Sequence, residues 1–230
     1  MADGRKNLFP AWRLVLMAAL AGVVAGAVAV YVSGPPSGNA PLPQPAAQAE
    51  PDEADVAACA AKSDRAKAVG SAATGDVAAM LSADPPQSVK NLAFNAPDGT
   101  PMTLADRSGK TLLVNLWATW CAPCRAEMPA LDALQKELGG EKFEVIAVNV
   151  DTGDDVKPKK FLEEIGIENL AYYRDNTLDL FNDMKKRGLA LGLPVTLLVD
   201  AEGCLLAHMN GPAEWSSDDA RKLIGVALGG

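Results

Sequence analysis

Apolar and polar positions divide the chain into three regimes. Residues 14–32 are apolar throughout and carry no charge. Residues 33–51 are rich in Pro, Gly, Ala and Gln and nearly free of large apolar side chains. From residue 54 onward, apolar positions recur at the spacings of helices and strands. Asp55 precedes Val56, Cys59, Ala60 and Ala66 and predicts a capped helix ending near Gly70. A second short helix is expected over 76–81, before Asp84-Pro85-Pro86 breaks the chain. Residues 92–95 and 102–104 flank Pro97-Asp98-Gly99, a hairpin signal. TLLVNLW, 111–117, is a continuous apolar run and reads as a buried central strand.

Beyond it, Met128, Leu131, Leu134 and Leu138 share one face of a helix expected over 122–138, with Gly139-Gly140 as its stop. FEVIAVNV, 143–150, is the next buried strand. A helix over 156–165, a short strand over 170–173 and a helix over 177–186 follow. A strand over 195–199 turns at Ala201-Glu202-Gly203 into a partner over 204–208. The closing helix, 216–228, has Ser216 or Ser217 as cap and Asp218 and Asp219 in its first turn. Strands that alternate with helices and end in a hairpin and a helix define an α/β fold with a mixed central sheet flanked by helices.

The uncharged run over 14–32 is long enough to cross a bilayer. Arg5, Lys6 and Arg13 precede it, and the next basic residue is Lys62. The positive-inside rule keeps 1–13 in the cytoplasm and exports the remainder. Ala27-Val28-Ala29 resembles a signal-peptidase site, but the run exceeds the roughly 7–15 apolar residues of a cleaved leader. The expected organisation is therefore a cytoplasmic N-terminus (1–13), a transmembrane anchor (14–32), a flexible linker (33–53), a helical extension (54–86) and the main domain (87–230). The linker cannot bury enough surface to fold and reads as a tether.

Hydrophobic residues make up 49% of the chain, a share that the N-terminal run inflates. The net charge is −8, and the N-terminal segment is basic, so the exported part is more acidic still. Such a surface repels nucleic acid and anionic lipid headgroups. No nucleic-acid partner is expected, and the chain is read as a monomer.

The candidate chemistry lies between the first long strand and its helix, in Trp120-Cys121-Ala122-Pro123-Cys124. Cys-x-x-Cys at such a junction places the first sulfur at the helix N-terminus and the second one turn inside. Unpaired N–H groups and the helix dipole stabilise a thiolate on the first. Cys121 is then the nucleophile and Cys124 the resolving thiol. Pro123 suits the first turn, where its missing N–H would be unpaired anyway. Zinc would need a further close pair, whereas Cys59 and Cys204 stand apart and His208 is the only histidine. No metal and no cofactor is expected. Trp117 reads as core, His208 as an ordinary surface or edge residue, and Lys157, Lys159 and Lys160 as a solvated helix face.

NLWATWCAPCRAEMPAL, residues 115–131, resembles the active-site signature of membrane-anchored bacterial thioredoxin-like proteins of the TlpA/ResA/CcmG group. The resemblance spans about 92–228 and implies a thioredoxin-like fold, here with an N-terminal helical extension and a single transmembrane helix. It also implies reductase activity facing the periplasm from the bacterial inner membrane. Cys121 and Cys124 correspond to the nucleophile and the resolving cysteine, and Trp120 to the Trp before the nucleophile. Leu193-Pro194 corresponds to the cis-proline loop. Glu127 corresponds to a carboxylate kept near the active site in ResA-like members; an ordinary helix-surface carboxylate is the other reading. Asn115 stands where thioredoxin has a buried Asp. Val195 stands where CcmG-like members have an acid, and with the Cys59 extension this favours the TlpA-like branch.

An exported domain sits where disulfides persist, so Cys59 and Cys204 are expected to pair, stapling the extension to the sheet. The chain-entropy value of so long a loop is about 4–5 kcal/mol at most. The resemblance implies a membrane thiol-relay electron donor. It also implies disulfide-bearing substrate proteins: copper-delivery proteins for a haem-copper cytochrome oxidase, or apocytochromes. A Cu(I)-binding chaperone is a rival reading with few ligands to support it. A peroxiredoxin is another, weakened by Ala118 where its Thr would stand.

Overall fold

The structure, a computed structural model, describes residues 52–229. The expected cytoplasmic N-terminus, the transmembrane anchor and nearly all of the linker lie outside the described residues. Among the described residues, no helix is long and apolar enough to cross a membrane.

Helix α1 (Glu53–Ala60) begins where the Asp52 carboxylate accepts the Ala54 N–H at 3.1 Å. The predicted cap, Asp55, pairs instead with Lys90 at 2.6 Å. The single helix expected to end near Gly70 is two, because α2 (Ser63–Ala72) starts afresh after a break at Ala61 and Lys62. Lys62 turns its ammonium to Asp200 at 2.6 Å and Glu202 at 2.8 Å, a long-range tie that no local pattern encodes. The short helix expected over 76–81 is a 3-10 turn, Gly75–Val77, followed by strand β1 (Leu81–Ser82). There the Thr74 hydroxyl and the Asp76 N–H donate to the Asp219 carboxylate, and Gly75 takes a positive φ of 52°. The turn docks on the last helix instead of propagating its own.

The main domain runs β2 (Ala93–Asn95), β3 (Pro101–Thr103), β4 (Thr111–Trp117), α3 (Ala122–Leu138), β5 (Phe143–Asn149), α4 (Val156–Glu164), β6 (Tyr173–Arg174), α5 (Asp179–Lys186), β7 (Val195–Val199), β8 (Leu205–Asn210) and α6 (Asp218–Ala227). Sheet order is β1-β8-β7-β4-β5-β6-β2-β3. Strand β4 is parallel to β5 and antiparallel to β7, and every one of its side chains is buried. This explains why its run is apolar at all but Thr111 and Asn115: both faces are covered. Residues 170–172, expected to be strand, are loop, because one Asp132 carboxylate oxygen accepts the N–H groups of Glu168, Asn169 and Leu170. Pairing with β5 starts only at Tyr173. Ser217 caps α6 by accepting the Ala220 N–H.

The extension completes this sheet. Strand β1 pairs antiparallel with β8, which places His208 between two strands, half-buried, where burial pushes its imidazole pKa down. The expected edge position is thus covered. Arg65 donates to the Ala227 carbonyl at 2.6 Å, satisfying an acceptor at the end of α6. A Cys59–Cys204 disulfide joins α1 to the residue preceding β8. Cys59 is the one buried residue of α1, so this bond is the helix's main tie to the core. Replacing both cysteines by Ala is expected to lower stability by about 2–5 kcal/mol. It should also speed amide exchange in α1 ahead of the sheet. Urea unfolding with the Cys121–Cys124 pair intact measures the first effect; unchanged stability would leave the bond without a structural role.

Candidate active site

Strand β4 ends at Trp117, and three residues carry the chain to Cys121, the N-cap of α3. The Cys121 sulfur accepts the Cys124 N–H at 3.2 Å and is bonded to the Cys124 sulfur. Helix α3 is 17 residues long, and Pro123 lies in its first turn. Trp120 is 64% exposed, whereas Cys121 is 5% and Cys124 0% exposed. The two sulfurs therefore differ in access. Only Cys121 reaches the surface, and it is the one at the helix N-terminus, where a thiolate is favoured.

Leu193-Pro194 is a cis peptide at the start of β7. Val195 pairs with Leu116 across the antiparallel β7–β4 ladder, so the proline loop and the cysteine loop share one end of the sheet. Leu193 is half-buried against the core, and neighbouring Leu191 is exposed. The Gly211 N–H donates to the Pro194 carbonyl at 2.9 Å, tying the β8–α6 loop to the same place.

Glu127 lies inside, at 3% exposure, which overturns the alternative of a surface carboxylate. It follows Cys124 by three residues and thus shares its helix face. Its Oε1 accepts Asn115 Nδ2 at 2.8 Å, and its Oε2 accepts the Ala213 N–H at 3.1 Å and Trp215 Nε1 at 3.0 Å. Burial raises its pKa to about 7 against the opposing pull of these donors. A carboxyl poised there exchanges a proton readily at neutral pH. Asn115 Nδ2 also donates to Thr196 Oγ1 at 3.0 Å, and Asn115 Oδ1 is buried without a partner.

Asp151 is a site residue that sequence reasoning missed. Its buried carboxylate accepts the Thr119 N–H and hydroxyl, each at 2.8 Å, and Asn149 Nδ2 at 2.7 Å. It thereby fixes the loop that presents Trp120. The signal was a polar residue ending an apolar strand parallel to β4. Trp117 is core, and its ring meets that of Phe161 at 5.7 Å. The Arg125 guanidinium lies over the same Phe161 ring, 4.8 Å from its centroid. Lys157, Lys159 and Lys160 are exposed on α4, where Lys159 pairs with Asp155 and Lys160 with Glu164.

A thioredoxin-like fold with a Cys-x-x-Cys disulfide at a helix N-terminus defines a thiol:disulfide oxidoreductase. The family model described as Redoxin matches residues 81–224, and the chain belongs to that family. Similar proteins include the thiol:disulfide interchange protein HelX of Rhodobacter capsulatus, 38% identical over 132 residues (56% of this chain, 68% of HelX). The thioredoxin-like protein YneN of Bacillus subtilis is 32% identical over 124 residues (52% of this chain, 67% of YneN). These relatives, with several proteins named ResA, fall in the group expected from residues 115–131. Among solved structures, a DsbF homologue from Corynebacterium diphtheriae superposes with a TM-score of 0.51 at 22% identity, covering 64% of this chain and 92% of its own. That likeness shows the fold. The family match begins at β1 and leaves out α1 and α2.

Proposed function

We propose that the protein is a membrane-anchored, periplasm-facing protein-disulfide reductase serving cytochrome oxidase assembly. The carrying observation is the single accessible sulfur, Cys121, held at the N-terminus of α3 over a buried partner, Cys124. In the reduced protein, the Cys121 thiolate attacks one sulfur of a substrate disulfide. A mixed disulfide forms and the other substrate sulfur leaves as a thiolate. Cys124 gives up its proton, with Glu127 as the acceptor, and attacks the Cys121 sulfur. The second substrate thiolate leaves, takes up a proton, and Cys121 and Cys124 end as the disulfide.

Each cycle transfers two electrons, so a membrane thiol-relay donor must restore the dithiol from the cytoplasmic side. The basic residues 5, 6 and 13 before the apolar run support that orientation. Val195 after the cis proline and the Cys59-bearing extension support copper-delivery proteins of a haem-copper oxidase over apocytochromes as substrates. The names of the relatives support disulfide exchange. The deciding measurement is the reduction potential of the Cys121–Cys124 pair. A value near roughly −270 mV, that of thioredoxin, supports a reductase; one near roughly −120 mV, that of DsbA, rejects it in favour of an oxidase.

A further inference from the structure

Glu127 Oε2 already accepts two donors that cannot become acceptors, the Ala213 N–H and the Trp215 indole N–H. A proton on Glu127 therefore sits on Oε1. That oxygen faces Asn115 Nδ2, which is itself a donor, at 2.8 Å. Two donors facing each other in a buried site leave a hydrogen bond unmade and destabilise that arrangement. Turning the Asn115 amide over would bring its Oδ1, buried and now without a partner, into the place of Nδ2, and would move the two N–H groups to where Oδ1 stood. Its other contact, Thr196 Oγ1 at 3.0 Å, is a hydroxyl that donates as readily as it accepts.

We infer that Asn115 is a proton-linked amide switch: when Glu127 takes up a proton, the Asn115 amide turns over, Oδ1 accepts from Glu127 Oε1, and Thr196 reverses from acceptor to donor. Thr196 follows cis-Pro194 by two residues on β7. The switch thus passes the charge state of the acid to the strand that carries the cis-proline loop, at the same end of the sheet as the cysteines, making Asn115 a positioning residue. The groups bonded to Glu127 are the Asn115 amide of β4 and the Ala213 and Trp215 N–H groups of the β8–α6 loop, and the cysteine pair lies on its own helix. None of the first three titrates, and the cysteines do not in the oxidised form. The inference rests on the reading of Glu127 as the site's acid.

The test uses the oxidised full-length chain labelled with 15N-asparagine and 13C-glutamate, followed by NMR from pH 5 to 9. The Asn115 side-chain signal is assigned by its loss in Asn115→Ser. It is expected to shift with the same midpoint as the Glu127 carboxyl, near 7. Glu127→Gln presents an N–H where Oε1 stood, and it should hold the Asn115 signal at its low-pH position at every pH. An Asn115 signal that stays constant while Glu127 titrates near 7 overturns the switch and leaves the acid role intact. A Glu127 carboxyl that does not titrate in this range removes the acid role, and the switch with it.

Discussion

Cys124→Ser is expected to stop turnover and to leave the protein covalently joined to its substrate. Cys121 is the only sulfur of the pair that a second protein can reach, since Cys124 is fully buried beneath it. The first exchange therefore proceeds without Cys124. The second requires a thiol one helical turn inside Cys121, and a serine hydroxyl is a poor nucleophile toward sulfur. The mixed disulfide should accumulate and appear on a non-reducing gel as a species that dithiothreitol removes. Its mass names the substrate: a copper-delivery protein supports the oxidase reading, and an apocytochrome replaces it with a role in cytochrome c maturation. Cys121→Ser should give no adduct. An adduct of equal yield through Cys124 in that variant would reverse the roles of the two sulfurs.

The second large effect follows from Glu127. Burial raises its pKa from an ordinary 4.5 to about 7. A carboxyl with a raised folded-state pKa stabilises the fold below its unfolded value, and that contribution is lost as pH rises through about 7. A shift of this size is on the order of 3 kcal/mol. Glu127→Gln should therefore be more stable than the parent at pH 8 and nearly equal at pH 4, with the gain developing between those limits. The same substitution removes the proton acceptor for Cys124, so resolution should slow by roughly 10²-fold near neutrality. The inflection near pH 7 should vanish from the rate profile. Single-turnover reduction of a disulfide peptide measures both; a parent-like profile would leave Glu127 without a part in the chemistry. Gain of stability with loss of rate in one variant is what a strained, functional carboxyl predicts.

What the sequence disclosed depended on how local the cause was. Strand β4 and helix α3 fall at 111–117 and 122–138, as their patterns predict, because burial on both faces and a Gly-Gly stop are written into adjacent residues. The Cys-x-x-Cys pair lies inside that same local unit. The divided extension was not legible: Ala61 and Lys62 contain no breaker, and the break depends on Asp200, far along the chain. The late start of β6 was hidden for the same reason, since Asp132 on α3 supplies the acceptor that keeps 168–170 out of the sheet. Glu127 occupies a position that helical spacing alone leaves open. Only the closure of the β8–α6 loop over it, with Ala213 and Trp215 as donors, makes it a buried acid.

The extension also alters what the sheet offers to passing polypeptides. Without β1, most of the six-residue β8 would form an open edge, since only its start at Leu205 is held elsewhere, by the Gln87 carbonyl. With it, the terminal strands of the described sheet are β1, two residues long, and β3, three residues long and opening on Pro101. Neither holds enough free N–H and C=O groups to template a foreign strand. A thiol:disulfide oxidoreductase with a long open strand beside its site would be exposed to co-aggregation with the proteins it meets. Among the described residues such a protein finds no long ladder to extend, which leaves the sulfur–sulfur bond as the tie that holds it.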